Sequence, residues 1–481
     1  MSTTAWWPYF GPEPWDFREL FQAFFDAPNY HVAFEVILIM LIIWLLLSKS
    51  YVIENVQGLT KEEEDNLVLE WKPEPLVPDT PQDHPALQYK TVTKQSGSLV
   101  TVDGKEGVNL ATFNFLGMVG RDEPVKTAIT ALSKYGVGSC GPRGFFGTMD
   151  VHLNLEKELA SFLGVQAAVL YSYGFSTIAS AIPSYSKRGD VIFCDKGVNF
   201  SIQMGLLASR SALRFYKHND MEDLERLLQE QAEEDKKNPK KAKVTRRFIV
   251  TEALFINYGD IAPLPKLVEF KFKYKVRIFL EESLSLGVLG DSGKGLTEHY
   301  NIPVSNVDLI CASLENSFGT TGGFCAGTQY VVDHQVLSGS GYCFSASLPP
   351  LLASSSLTAL EIMKKEPGMF KTLRRNTKLM HEQLNNIPGL KRVGEAVSPV
   401  QHLYLTKSVG SHDDDLRLLQ SIVDKALDHG AVLTVARYLN DEEYNPPEPS
   451  IRVAINCTLT EEMLTTCVDA IKNAVQEVLA Q

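Results

Sequence analysis

Directly after the strand-like run 308–314 the chain reads Glu315-Asn316-Ser317-Phe318-Gly319-Thr320-Thr321-Gly322-Gly323. A glycine-rich loop at a strand end lets the backbone approach a ligand closely. What such a loop can do chemically depends on the side chain it carries. A lysine would offer an amine to a carbonyl. Asn316 offers an amide, whose nitrogen is not nucleophilic and cannot form an imine. No neighbour replaces it, because Lys294 is the last lysine before the loop and Lys364 the next after it.

Other segments have the make-up of a ligand pocket. Tyr173-Gly174-Phe175-Ser176-Thr177 precedes a helical pattern at 178–182. A glycine turn opening a helix presents backbone N–H groups to an anion, or serves simply as a turn with a Ser/Thr cap. The segment 135–147 sets Gly136, Gly138, Gly141 and Gly144 around Cys140 and Arg143. A buried-strand pattern at 275–280 runs straight into Glu281-Glu282-Ser283-Leu284.

The 315–323 loop resembles the motif [ST]-Lys-[SA]-Phe-Gly-x-x-Gly-Gly of the α-oxoamine synthases, a family of pyridoxal-phosphate (PLP) enzymes. Asn316 stands where that family has its Schiff-base lysine. The stretch from Glu281 resembles the family's Asp-Glu-Ala-His-Ser-x-Gly, with Glu281 in place of the Asp that pairs with the pyridinium nitrogen and Leu284 in place of the His. Asn199, in Val198-Asn199-Phe200-Ser201, lies at the motif whose His stacks on the cofactor ring, and Met149 replaces the first His of Gly-Thr-His-x-x-His. Glycines and turn residues match while the chemical residues differ, so the resemblance implies a degenerate cofactor pocket of Asn199, Glu281, Leu284 and Asn316.

The stretches 71–78, 135–147, 171–175 and 344–350 carry the resemblance to the family's lysine-lacking long-chain-base branch, which it matches from about residue 70 to the C-terminus. That branch implies a type I PLP-dependent transferase fold, with a large parallel-sheet domain and a smaller C-terminal α/β domain. It implies one half of a heterodimer in which PLP is bound through the lysine of the partner subunit. The complex would condense L-serine with palmitoyl-CoA, the entry to sphingolipid synthesis, with no catalytic residue on this chain. Asn114, Cys140, Gly141, Arg143, Ser345 and Ser347 match segments that contribute to the partner's active site, and Arg452 matches the arginine that grips the substrate carboxylate. Small activating subunits and ORM-type regulators are further implied partners. Two other readings stay open: a regulatory or scaffolding pseudoenzyme that contributes to no site, and a self-sufficient α-oxoamine synthase.

The elements that position these residues follow from composition and pattern. With 481 residues the chain should hold more than one domain, and its 44% hydrophobic content suffices for a large core. A net charge of -12 argues against nucleic acid as a partner. The cysteines Cys140, Cys194, Cys311, Cys325, Cys343, Cys457 and Cys467 are scattered and lack C-x-x-C spacing. They read as reduced, mostly buried thiols, with neither a zinc site nor a disulfide framework. Beyond about residue 96, short apolar strand patterns at 167–172, 191–194, 248–251, 276–280 and 309–312 alternate with helical ones. This predicts α/β architecture with a largely parallel sheet. The charged run 233–246 reads as a solvated insertion.

Residues 32–47 are apolar except Glu35 and predict a single transmembrane anchor, rather than a buried or a membrane-surface helix. Trp44 and Tyr51 suit one interface and Glu35 can reach the other. A secretory signal would want basic residues before it, but Asp16, Glu19 and Asp26 precede it. Arg18 alone stands before the span, whereas Lys49, Lys61 and Lys72 follow, which favours a cytoplasmic C-terminal body. The resemblance supplies the membrane, that of the endoplasmic reticulum. Phe17, Leu20, Phe21, Phe24 and Phe25 recur at helical spacing, which fits a helix lying on the bilayer or one packed on another protein. The expected organisation is an interfacial segment 1–30, an anchor 31–50, a linker arm 51–95, a large domain 96–355 and a small domain 356–481.

Overall fold

The computed structural model describes residues 28–48, 59–76, 82, 87–439 and 442–480, in two compact units, Met1–Gln88 and Tyr89–Gln481. In the first unit, helix α1 (Asn29–Leu47) runs for 19 residues with no buried side chain. At 1.5 Å per residue it is about 28 Å long, close to the apolar thickness of a bilayer. It is long and apolar enough to cross a membrane. Helix α2 (Lys61–Glu70) starts on a capping box between Thr60 and Glu63, which supplies partners to backbone N–H groups that the helix itself leaves unpaired. The aromatic face expected at residues 17–25, and the flanking Lys49 and Tyr51, lie outside the described residues.

Among the described residues the second unit has fifteen strands: β1 (Val92–Ser96), β2 (Leu99–Val102), β3 (Lys105–Asn109), β4 (Ala167–Tyr171), β5 (Val191–Asp195), β6 (Ala212–Tyr216), β7 (Arg247–Glu252), β8 (Arg277–Glu281), β9 (Leu309–Ser313), β10 (Gly323–Gly327), β11 (Leu390–Val393), β12 (Val400–Leu405), β13 (Ala431–Val432), β14 (Thr434–Ala436) and β15 (Ser450–Ala454). Seven of them form one sheet in the order β4-β10-β9-β8-β7-β5-β6. All run parallel except β10, which is antiparallel to both its neighbours. Every residue of β5, β9 and β10 is buried, as expected of strands covered on both faces. The five strand patterns read from the sequence all appear, and β6 and β10 join them. β10 is flanked by glycine at both ends, which hides a strand from a pattern search.

A second core gathers Leu419, Ile422, Leu464 and Ile471 from the helices His412–Asp428 and Glu461–Leu479. These helices accompany an antiparallel sheet in the order β11-β12-β15-β14. The segment expected to open the large domain joins this C-terminal half. β3 pairs in parallel with β13, and Val108 and Leu110 belong to the second core. The charged run 233–246 is helical, shared between Met221–Lys237 and Pro239–Val244, and most of it is exposed. Of the cysteines, Cys194, Cys311, Cys325 and Cys467 are buried and Cys140 is exposed.

Candidate functional site

Parallel strands in an open sheet deliver their C-terminal ends to one edge, where ligands of α/β folds sit. Here β7 ends on Glu252, β8 on Glu281 and β9 on Ser313. Glu252 and Glu281 are register partners, so both side chains leave the same face. They line a cavity of about 360 Å³ together with Phe113, Gly174, Asn199, Ser283, Leu284 and Asn316, among others. Glu252 accepts the backbone N–H groups of Asn199 at 2.6 Å and Ile256 at 3.1 Å. Burial, with the neighbouring Glu281, pushes it up to about 8. Glu281 accepts the Ser283 N–H at 2.9 Å and its hydroxyl, and burial pushes it up to about 7.

The residues expected to form a degenerate pocket are brought together. Asn316 does not project a free amide: its Nδ2 donates to the carbonyl of Ser283 at 2.8 Å. Asn199 caps the helix Phe200–Ser209 by accepting from the N–H of Ile202 at 3.1 Å. Leu284 is buried. Arg452 lines the same cavity with its guanidinium 4.5 Å above the Phe113 ring. Its Nε is buried without an acceptor, as is the Tyr438 hydroxyl, and burial lowers the Arg452 pKa.

Among the pocket residues that escaped the sequence reading are two acidic ones, Glu252 and Glu315. Glu252 carried no motif. Glu315 was visible as a charge where the resembled motif has Ser or Thr. In the structure its Oε1 accepts the N–H of Gly174, the first residue of the helix Gly174–Tyr185, at 3.3 Å.

The second group of expected residues lies outside this cavity. Cys140 is exposed in the left-handed region at φ 59°. The carbonyl of Gly141 accepts the N–H of Ser347 at 3.0 Å, and Ser347 Oγ donates to the Gly147 carbonyl at 2.5 Å. Two loops, 139–148 and 344–348, are thereby fastened to each other. Arg143, expected to face the partner, turns inward instead. Its Nη1 and Nη2 bind Glu156 at 2.7 and 3.0 Å, and its Nε donates to Thr148 Oγ1 at 3.0 Å. Ser347 is likewise buried. What the loops turn outward is Cys140, Phe145, Phe146 and Phe344, with Ser345 half-buried beside them. Asn114 is bonded elsewhere, accepting the Val119 N–H at 3.1 Å in its own turn.

Residues 105–471 match the aminotransferase class I and II family. Serine palmitoyltransferase 1 of Dictyostelium discoideum is 45% identical over 91% of this chain and 92% of its own length. Long chain base biosynthesis protein 1 of Arabidopsis thaliana is 42% identical over 93% and 92% of the two chains. The chain belongs to this family of serine palmitoyltransferase 1 and long chain base biosynthesis 1 proteins. Its fold is shared with a solved serine palmitoyltransferase with PLP, at 23% identity and a TM-score of 0.72, over 81% of this chain and 94% of that one.

Within this family member, the pocket at the strand ends does not fit a lysine-bound PLP. No amine stands at position 316, and the amide there is already bonded to Ser283. The helix start that would receive a phosphate is taken by the Glu315 carboxylate.

Proposed function

We propose that this chain is the non-catalytic but required subunit of a heteromeric serine palmitoyltransferase, which joins L-serine to palmitoyl-CoA and releases CoA and carbon dioxide. PLP would be held by the lysine of a second long-chain-base subunit, and its ring would supply the electron sink for the serine-derived carbanion. The observation that carries this reading is Asn316, hydrogen-bonded to a backbone carbonyl where the chemistry requires a free amine. What this chain adds is shape. The loops 139–148 and 344–348 would form a wall of the partner's site, with Cys140, Gly141 and Ser345 facing it, while Arg143 and Ser347 hold that wall rigid from behind and Asn114 fixes the turn after β3. Helix α1 would anchor the complex in the endoplasmic reticulum membrane as a single span, with the folded unit on the cytoplasmic side.

The inward bonds of Arg143 and Ser347 favour a second reading, a scaffold whose loops support the partner without touching substrate. Serine-dependent release of CoA from palmitoyl-CoA, assayed on the full chain alone and after co-expression with a lysine-bearing partner, tests the first reading. Turnover only in the complex is expected, and turnover by this chain alone refutes it. In the assembled complex, Ser345→Ala separates the two: lowered turnover fits a wall of the active site, and unchanged turnover fits a scaffold.

A further inference from the structure

We propose that the exposed carboxylate of Glu315 is a built-in anion that closes this pocket to phosphate, a block to PLP that is independent of the missing lysine. The first N–H groups of a helix have no partner within it, and together they carry a partial positive charge of about +0.5. That makes the start of the helix Gly174–Tyr185 a place in the cavity suited to an anion. In this chain a carboxylate from the neighbouring loop already takes that place, at 3.3 Å from the Gly174 nitrogen.

The loop fixes the backbone that carries the carboxylate. Glu315 donates its own N–H to Ser313 Oγ at 2.9 Å, at the end of β9. The next residue is tied down through Asn316 Nδ2 and the Ser283 carbonyl at 2.8 Å. The other side of the contact is open only because residue 174 is glycine. A Cβ there would lie 2.8 Å from Ser313 Cβ and 3.1 Å from Glu315 Oε2. Glu315 stands where the motif of the lysine-bearing relatives has Ser or Thr, which are uncharged. An incoming phosphate would have to displace a carboxylate from the helix start and then sit beside it. Two arginines also line the cavity, Arg437 just after β14 and Arg452 in β15.

Restoring the lysine alone therefore does not restore the cofactor. This concerns only what the pocket of this chain admits, so it stands apart from the subunit reading. The test compares Asn316→Lys with two double variants, Asn316→Lys/Glu315→Gln and Asn316→Lys/Glu315→Thr. The first double variant keeps the shape of residue 315, and the second places there a residue of the motif. Each full chain, with and without its lysine-bearing partner, is incubated with PLP and reduced with borohydride. Mass spectrometry of the peptide spanning position 316 then counts the trapped cofactor, so PLP on the partner does not contribute. Circular dichroism confirms folding.

At limiting PLP the double variants are expected to trap about tenfold more than Asn316→Lys alone, the scale of removing a charge from a helix start and weakening or losing its charge-assisted hydrogen bond. Equal trapping by the single and double variants overturns the proposal. So does the absence of trapping in all three folded chains, because Glu315 would then not be the remaining obstacle. If one double variant fails to fold, the other decides.

Discussion

Replacing Arg143 by methionine should loosen the fold from a position that touches no ligand. The Arg143 side chain is 5% exposed and that of Glu156 13%, and the two are joined by bonds of 2.7 and 3.0 Å. Glu156 also accepts the N–H of Leu170 in β4 at 2.9 Å, and the Arg143 guanidinium lies 5.4 Å from the Tyr342 ring. Methionine keeps much of the volume but leaves a buried carboxylate without its cation. Breaking a buried pair from one side costs about 3–5 kcal/mol, because the remaining charge stays desolvated. Arg143 Nε also braces Thr148, whose hydroxyl donates back to the Arg143 carbonyl at 2.6 Å, so the 139–148 loop should lose its shape as well. Chemical denaturation of the full chain measures the loss. The double variant Arg143→Met/Glu156→Gln, which removes both charges, should recover much of it. A single variant within about 1 kcal/mol of wild type would refute the claim that this pair holds the loop, since exposed pairs are worth no more than that.

Two further outcomes follow from the same geometry. Glu281 titrates near 7 in the fold against about 4.5 in the ordinary case, so its favourable contribution is complete below 4.5 and is lost as the pH rises through 7. Glu281→Gln should therefore gain on wild type between about pH 5 and about pH 8, by roughly 3 kcal/mol at most. An identical Tm difference at the two pH values would show that the carboxyl is not desolvated. Phe146 is fully exposed at φ 64°, a conformation that costs a side chain about 1 kcal/mol and that glycine adopts freely. Phe146→Gly should leave the melting temperature of the chain unchanged or higher, yet lower the fraction that co-purifies with the lysine-bearing partner. Undiminished co-purification would remove this aromatic from the subunit contact.

Much of the architecture was legible because buried parallel strands need continuous apolar runs, and those runs stand out whatever surrounds them. β4, β5, β7, β8 and β9 were found this way, whereas β6 and β10 were not. β6 has exposed residues at its start and β10 is bounded by glycines. The place of β1–β3 also escaped the reading, since pairing with β13 joins segments more than 300 residues apart and leaves no local pattern.

Within the site, the sequence by itself determined what chemistry is absent. An amide at position 316 is a covalent fact, and no folding turns it into an amine. The carboxylates at 281 and 315 were equally plain as residue types. Only the tertiary structure decided what those groups do. It carried Gly174 to within 3.3 Å of Glu315, and it set Glu252 beside Glu281 on adjacent strands, where burial raises both. It also turned Arg143 and Ser347 into the protein while leaving Cys140 and Phe146 outside. Residue type sets which bonds a group can make. Burial and partners from distant segments set which bonds it makes, and both come into being only when the chain packs.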